Sequence, residues 1–495
     1  MITIPLDSNT AIPMYLQIYE HIKRNIINGT LSSGTKLPST RNLASHLSVS
    51  RNTVELGYEQ LLSEGYIESR QRSGYYVSFQ KQMTDVIPPA FSSERTTTTK
   101  EISDNRIDFE KKWNVSYCFS PFDVDISHFP FRTWNQLSKN SLYDAPELFL
   151  SGDHQGDAAF RNAIADYLYH SRGVNCQPQQ IVVGAGVDYL LLLLSRIFPS
   201  SSSIAMENPA YVRAERILSG QGFSIRPIPL DEHGMSVSML EESDADIAYV
   251  TASHQYPLGI VMPIQRRMQL LSWACQKEER YIIEDDHDSE FRYKGKPIPS
   301  LQGYDTCQKV IYMGTFSKAI APAIRISYMV LPYPLYERYQ KNCSYFSCSV
   351  SRVDQAILTT FLTQGYFERH LNRMRKIYKS KHDCMLSALK KWGYHYKIEG
   401  ENAGLHLVLH FYTSASEKEL IDTACANGIQ VFGLSPHCLA PIPTPKQKLT
   451  PKPTPVTENL SDNTQTLLLG YANLSEPEIE EGIRQLFLCY KKAGY

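Results

Sequence analysis

The feature that most limits the possible folds of this chain is a polar stretch, residues 78–106, without a regular apolar pattern. Its sequence, SFQKQMTDVIPPAFSSERTTTTKEISDNR, is rich in Ser, Thr, Pro and charged residues, which is typical of a flexible linker. We therefore predict a linker over residues 79–106 that joins two separately folded parts, residues 1–78 and residues 107–495. The chain of 495 residues is long enough for about three folding units, one of which could be large.

Residues 1–78 carry the pattern of three short helices followed by a hairpin. Apolar residues recur at helical spacing over residues 12–26, and the tetrapeptide LPST offers a cap and a first-turn proline for a second helix. Ser50 is placed to cap a third helix, which ends at Gly65. The segment YIESRQRSGYYVS then alternates apolar and polar residues around a turn, which predicts two short antiparallel strands. This order of elements predicts a winged helix-turn-helix.

The third of these helices has the residue types of a DNA-reading helix. In a helix-turn-helix, the start of this helix enters the major groove, and here that start is RNTV. Side chains suited to bases or phosphates are Ser39, Arg41, Arg51, Asn52 and Thr53, with Arg70 and Arg72 beside the tip of the wing. Each alone is typical of a solvated surface, and similar domains also bind protein. The net charge of residues 1–80 does not distinguish DNA binding from protein binding, since seven basic residues oppose six acidic ones. The order of elements favours DNA.

The run from PMYLQIY to SGYYV resembles the DNA-binding domain of GntR-type bacterial transcription regulators over its full length. The match includes the LPSTR segment, the VSRNTV helix start and the glycine of the wing. The resemblance implies that Arg41, Arg51, Thr53 and Gly74 approach double-stranded operator DNA.

Residues 107–495 alternate strand-like apolar runs with helical segments. The runs are QIVVGAG, SIAMENP, ADIAYVTAS, RYIIEDDH and KVIYMGTFSK. This alternation predicts an α/β domain whose parallel strands are covered by helices on both faces. Ligands bind at the carboxyl ends of such strands.

Several of these strand ends carry groups that suit one ligand. GTFSKAIAPAIR places Lys318, which can form an imine with an aldehyde, beside hydroxyls and Arg325, which suit a phosphate. A carboxylate of IIEDDHD could pair with a protonated pyridine nitrogen, MENPAY offers an aromatic ring, and VVGAG leads to a helix N-terminus that favours phosphate. A lone lysine is usually only solvated, but these four features together indicate pyridoxal phosphate.

The large part resembles a fold type I aminotransferase domain through its segments SHQYPLG, EDDHDSEFRY and GTFSKAIAPAIR. A GntR-type domain followed by this domain is the signature of the MocR/GabR subfamily of GntR regulators. The resemblance implies that Lys318 carries the cofactor as an internal aldimine and that Asp285 binds the pyridinium nitrogen. It also implies that Tyr211 stacks on the ring and that the phosphate is held by Arg325, Thr315, Ser317 and the amides near Gly186.

The chain departs from the family pattern at several of these positions. His287 replaces a tyrosine near the phenolic oxygen of the cofactor, and Tyr256 replaces an asparagine beside the ring; both remain candidates for cofactor binding. Asp188 stands where relatives place Gln at the phosphate, which is unfavourable unless its carboxylate points away. Leu468 stands where aminotransferases have the arginine that clamps a substrate carboxylate. Weak or absent turnover is therefore expected.

These observations predict a transcription regulator that senses pyridoxal phosphate or an amine effector, for which Arg213 is the candidate contact or else a structural ion pair. A homodimer on paired half-sites is expected. The alternatives are an active aminotransferase with a vestigial DNA-binding domain, and a regulator whose large domain is only a dimerising scaffold. Steady turnover would favour the first, and DNA binding insensitive to the cofactor would favour the second.

Other features of the chain predict a cytoplasmic protein that is not bound to a membrane. It has no secretory signal, and its longest apolar stretch is about ten residues, too short to span a bilayer. The ten cysteines show no metal-ligand spacing and are expected to be reduced thiols, without structural zinc. A segment rich in Pro and Thr at residues 441–459 is expected to be an exposed insertion without a function of its own.

Overall fold

The structure is a computed structural model that describes residues 4–6, 12–70, 73–78, 115–143, 145–293, 299–392, 396–440 and 464–495. The chain forms two compact units, Met1–Ile107 and Asp108–Tyr495. The expected linker at residues 79–106, the expected insertion at residues 441–459 and Arg72 lie outside the described residues.

The small unit contains three helices and a hairpin, in the predicted order. Its elements are α1 Met14–Ile27, α2 Thr40–Leu47, α3 Arg51–Ser63, β1 Ile67–Arg70 and β2 Gly74–Val77. Ser39 and Ser50 cap α2 and α3, since their side-chain oxygens accept hydrogen bonds from the amides of Asn42 and Thr53. β1 and β2 pair antiparallel, with Ile67 opposite Val77. The predicted winged helix-turn-helix and its two caps are confirmed.

The large unit begins with β3 Tyr117–Cys118 and α4 Phe131–Tyr143 and contains two further sheets with their helices. The elements up to the end of the large sheet are α5 Ala158–Arg172, β4 Ile181–Gly184, α6 Val187–Ile197, β5 Ser203–Asn208, α7 Val212–Gly220, β6 Ser224–Asp231, β7 Gly234–Met235, α8 Val237–Glu242, β8 Ile247–Val250, α9 Ile264–Cys275, β9 Tyr281–Asp285, β10 Val310–Thr315 and β11 Ser327–Val330. The remaining elements are α10 Tyr333–Cys343, α11 Arg352–Thr363, α12 Tyr366–Lys390, β12 Tyr396–Glu399, β13 His406–Tyr412, α13 Glu417–Ala426, β14 Ile429–Gln430, β15 Phe432–Gly433, β16 Thr464–Gly470 and α14 Glu476–Ala493.

The large sheet has the strand order β4-β11-β10-β9-β8-β5-β6-β7. Four neighbouring pairs, from β10 to β6, are parallel, and all five predicted apolar runs form strands. The sheet is mixed: β11 pairs antiparallel with both β10 and β4, and β7 pairs antiparallel with β6. The segment between β10 and β11 contains only a short 3-10 turn, Pro322–Ile324, so no crossover helix carries the chain back to the other end of the sheet.

Helices cover both faces of this sheet, as predicted. On β9, Ile283 packs in a cluster with Leu190 and Leu194 of α6, whereas Ile282 packs in another cluster with Trp273 of α9. Successive strand residues point to opposite faces, so each face has its own apolar core. The sheet edge where β9 and β10 end is thereby held rigidly between two layers.

A second, antiparallel sheet has the order β12-β13-β16-β15. Leu467 and Leu469 of β16 pack in a core with α13 and α14. Leu468 alternates with them, is fully buried and lies opposite Val408 and Phe432. Leu468 therefore faces away from that core.

The structure bears on the predicted state of the cysteines and on the possibility of a membrane-spanning helix. The sulphurs of Cys275 and Cys307 are bonded to each other, so the expectation of reduced thiols throughout is wrong for this pair. No spacing in the sequence signals this pair, because only the folded sheet brings the end of α9 beside the loop before β10. Among the helices that the structure describes, none is long and apolar enough to cross a membrane.

Candidate cofactor site and nucleic-acid interface

Lys318 lies three residues beyond the end of β10, at the carboxyl edge of the large sheet. Its Nζ donates a hydrogen bond to the carbonyl of Pro121 at 2.9 Å and lies 3.7 Å from Oδ1 of Asp288. The side chain is 18% exposed. The amine is thus largely buried but still in contact with solvent.

Asp285 is the last residue of β9 and lies beside Met313 of β10 in the parallel register. The hydroxyl of Tyr249, on β8, donates to its Oδ2 at 2.5 Å. Burial raises the pKa of Asp285 to about 6, and the hydrogen bond from Tyr249 opposes that rise. A protonated ring nitrogen would supply the positive charge that this carboxylate lacks.

Asp286, the next residue, points into a separate buried network. Nε and Nη2 of Arg172 donate to its two carboxylate oxygens, each at 2.8 Å, and the hydroxyl of Tyr312 donates to it at 2.5 Å. Burial alone would raise the pKa of Asp286, but Arg172 and the hydrogen bonds hold it below its usual value. Arg172 thus supplies the cation for Asp286, beside Asp285 at the end of β9.

Aromatic side chains surround the space next to Asp285. The ring of Tyr256 lies 6.1 Å from that of Tyr211 and 5.0 Å from that of His287. Burial lowers the pKa of His287 to about 4, so this imidazole is neutral at pH 7. Three of the predicted ring contacts therefore lie together.

Asp288 is a buried carboxylate with an uncommon backbone, at φ +51°. Neither of its oxygens has a hydrogen-bond partner among the described residues. Burial would raise the pKa of Asp288, but His287, Lys318 and two further histidines, His254 and His406, keep it below its usual value. The carboxylate gives the pocket around Lys318 a negative charge.

A second group of predicted residues meets at the start of α6. Gly186 is the residue before this helix, with φ +94°, and a Cβ on it would lie 2.3 Å from Nη2 of Arg325. A Cβ there would displace the guanidinium group from this position, and the positive φ itself favours glycine. The Oγ of Ser317 is buried and has no hydrogen-bond partner within the described ranges, while Thr315 accepts from the amide of Ser317.

Asp188 does not point away from this group. Its Oδ2 accepts hydrogen bonds from Nη2 of Arg213 at 2.5 Å and from Nη2 of Arg325 at 2.9 Å. Arg213, the candidate effector contact, thus forms an ion pair in this structure.

The predicted position of the carboxylate clamp, Leu468, has apolar neighbours. Leu468 lies opposite Phe432, whose ring is 5.9 Å from that of Phe122, and Phe122 lies 6.2 Å from Tyr256. Phe122 directly follows Pro121, which contacts Lys318. Leu468, Phe432 and Phe122 thus form an apolar wall, and Pro121 joins its Phe122 end to Lys318.

The predicted DNA contacts lie on the surface of the small unit. Arg41, Arg51, Asn52 and Arg70 are exposed, and Thr53 is partly buried with its hydroxyl 2.7 Å from that of Ser50. Arg51 forms an ion pair with Glu55 at 2.7 Å, which a phosphate could replace at little cost because such exposed pairs contribute about 0.3–0.5 kcal/mol. Gly74 opens the second wing strand at φ +109°. The DNA contacts of these side chains stay predictions.

Comparison with known proteins assigns each of the two units to a protein family. The model of the family "Aminotransferase class I and II" matches residues 122–448, and that of "Bacterial regulatory proteins, gntR family" matches residues 14–77. The uncharacterized HTH-type transcriptional regulator YdeL of Bacillus subtilis is 40% identical, over 99% of both chains. The probable rhizopine catabolism regulatory protein MocR of Rhizobium meliloti is 32% identical, over 99% of this chain and 97% of its own. The chain belongs to the MocR/GabR subfamily of GntR-type transcription regulators.

Solved structures agree with this assignment at the level of the fold. The kynurenine aminotransferase of Pyrococcus horikoshii matches 83% of this MocR-type chain and 99% of its own, with a TM-score of 0.67 and 23% identity. The large unit therefore has the fold type I aminotransferase architecture, as predicted.

The cofactor of this MocR-type regulator is pyridoxal 5′-phosphate, and the residues at the sheet edge fit it. The Ser317 hydroxyl, which has no partner among the described residues, and the Gly186 turn suit the phosphate, and Asp285 has no cationic partner among those residues. In the part of the chain that the structure describes, no group of three or more His, Cys, Asp or Glu side chains could hold a metal ion.

Sequence reasoning missed four residues of this site: Tyr249, Arg172, Asp288 and His254. Tyr249 lies inside an apolar strand run, and only the sheet register brings it beside Asp285. Asp288 stands within EDDHD, so the run of acids was a signal, but its left-handed backbone was not readable.

Proposed function

We propose that this regulator uses its pyridoxal phosphate site as a sensor, and that occupancy of the site, rather than turnover, controls its binding to DNA. The observation that carries this proposal is the apolar wall of Leu468, Phe432 and Phe122 beside an otherwise complete set of cofactor-binding groups. Without a bidentate arginine, the carboxylate of an amino acid has no fixed orientation, and misplacement alone can lower a rate by orders of magnitude. The wall favours binding over turnover.

In the proposed site, Lys318 attaches the cofactor, which supplies an aldehyde that primary amines can join. Asp285, ionised with help from Tyr249, holds a proton on the ring nitrogen. The side chains of Tyr211, Tyr256 and His287 enclose the ring. The phosphate is held by Gly186, Thr315, Ser317 and Arg325, which the chain brings together at the start of α6.

The proposed signal is the cofactor itself rather than an amine effector. The missing arginine at Leu468 disfavours an effector with an α-carboxylate. Arg213, the candidate contact for such a carboxylate, is already paired with Asp188. An amine without a carboxylate remains the alternative effector.

The proposed active form is a homodimer in the cytoplasm, bound to paired half-sites of operator DNA. Two copies supply two recognition helices, one for each half-site. Support comes from apolar side chains that are exposed within one stretch of the large unit: Ile126, Phe131, Leu142, Tyr143, Phe149 and Leu150. Clusters of exposed apolar residues mark protein interfaces.

We also propose that the chain is divided into a DNA-binding domain at residues 1–78, a linker at residues 79–106 and a cofactor-binding domain at residues 107–495.

The test compares the wild type with Lys318→Ala and with Lys341→Ala, a control at an exposed lysine on α10. We expect pyridoxal phosphate to give a visible absorbance band and to change the affinity for operator DNA in the wild type and the control, but not in Lys318→Ala. If the cofactor does not change the DNA affinity of the wild type, the large domain would instead be only a dimerising scaffold. Steady conversion of an amino acid to a keto acid at ordinary enzyme rates would support an aminotransferase.

A further inference from the structure

An acidic side chain occupies the proposed phosphate end of the site. Asp188 is the second residue of α6, and its Oδ2 accepts from both Arg213 and Arg325, at 2.5 and 2.9 Å. The Asp188 side chain is 25% exposed, against 58% for Arg213 and 48% for Arg325. Asp188 is therefore the least exposed member of this charged group.

The arginine that Asp188 contacts is the one proposed to hold the phosphate. Nη2 of Arg325 lies against Gly186, so close that a Cβ there would be 2.3 Å away, and this same nitrogen donates to Asp188. A phosphate on the Gly186 turn and on Ser317 must share Arg325 with the Asp188 carboxylate. The two anions then compete for one guanidinium group.

We propose that Asp188 weakens the binding of the phosphate, so that the cofactor exchanges with the free pool and site occupancy follows its supply. This inference rests on the proposed sensor function and names the residue that sets the concentration range of the response. A phosphate monoester carries about −1.5 to −2 charges at pH 7. Arg213 and Arg325 offer it two positive charges, of which Asp188 cancels one. Because the group is partly exposed, the repulsion is moderated by solvent and salt.

A structural role for Asp188 makes a different prediction. An acid in the first turn of a helix stabilises that helix through its dipole, and Asp188 also orients two arginines. If that were its main role, its removal would weaken cofactor binding or leave it unchanged. If competition dominates, its removal strengthens the binding of a phosphorylated ligand only.

The experiment measures the dissociation constants of pyridoxal phosphate and of pyridoxal, which lacks the phosphate, for the full-length wild type and Asp188→Asn. We expect the variant to bind pyridoxal phosphate about tenfold more tightly, or about 1.4 kcal/mol, and pyridoxal with unchanged affinity. The cofactor concentration that gives half of the DNA response should fall by the same factor. Asp422→Asn, at an exposed acid on α13, is the control and should match the wild type.

The outcomes separate this inference from the proposed function. Equal or weaker binding of pyridoxal phosphate by Asp188→Asn, or equal tightening for pyridoxal, overturns the role of Asp188 while leaving the sensor in place. If cofactor binding leaves the DNA affinity of the wild type unchanged, the proposed sensor function is overturned, independently of the result for Asp188→Asn. Asp188→Ser provides a second variant if the first does not fold, and the same tightening is expected of it.

Discussion

Replacing Tyr249 by Phe removes one hydroxyl beside Asp285 and leaves the aromatic ring in place. This hydroxyl donates to Oδ2 of Asp285 at 2.5 Å and favours the ionised form of a carboxyl group whose pKa burial raises to about 6. A hydrogen bond to a charged group contributes about 1.5–3 kcal/mol. Since about 1.4 kcal/mol corresponds to one pH unit, the variant should raise the pKa of Asp285 by about one to two pH units.

The measurable consequence is the pH dependence of cofactor binding. A protonated pyridine nitrogen pairs only with the ionised form of Asp285, so affinity should be lost as the pH falls through the pKa of this group. In the wild type, that loss should occur near pH 6. In Tyr249→Phe it should begin about one to two pH units higher, so that affinity at pH 7 falls by about twofold for a one-unit rise and about tenfold for a two-unit rise.

Titration of the visible absorbance with pyridoxal phosphate between about pH 5 and pH 9 tests this expectation. Tyr312→Phe is the matched control, because it removes an equally short hydrogen bond, 2.5 Å long, from an equally buried tyrosine to the neighbouring Asp286. Its binding curve should keep the wild-type midpoint. Identical midpoints for Tyr249→Phe and the wild type, or the same displacement in both variants, would refute the role assigned to Tyr249.

Three further substitutions test other parts of the molecule. Arg172→Met leaves the buried carboxylate of Asp286 without its cation and should lower the free energy of unfolding by about 3–5 kcal/mol in urea denaturation; a loss below about 1 kcal/mol would contradict this. Arg51→Ala should weaken operator binding by about 1–3 kcal/mol in fluorescence anisotropy, and an unchanged affinity would exclude a contact with a base. Gly74→Ala places a side chain at φ +109°, which should cost about 1–3 kcal/mol and lower the midpoint of thermal unfolding of the small unit; an unchanged midpoint would show that the wing tolerates it.

Local patterns were sufficient for most elements of the fold. The caps at Ser39 and Ser50 and the apolar strand runs are confirmed, because a helix start and a buried strand each depend on a few adjacent residues. The antiparallel direction of β11 was not predicted, since the residues of a strand do not determine its direction relative to the neighbouring strands. The Cys275–Cys307 pair was missed for a related reason, as 32 residues separate its partners in the chain.

The order of the two units, their fold classes and the chemical groups available to the cofactor could be read from short motifs and from apolar periodicity, which are local features. Which of these groups meet depends on the folded chain. Tyr249 lies 36 residues from Asp285, and Asp188 lies 25 residues from Arg213 and 137 from Arg325. Such contacts depend on sheet register and on how the loops close, so the ion pairs of Asp188, on which the proposed competition rests, could not be read from local patterns.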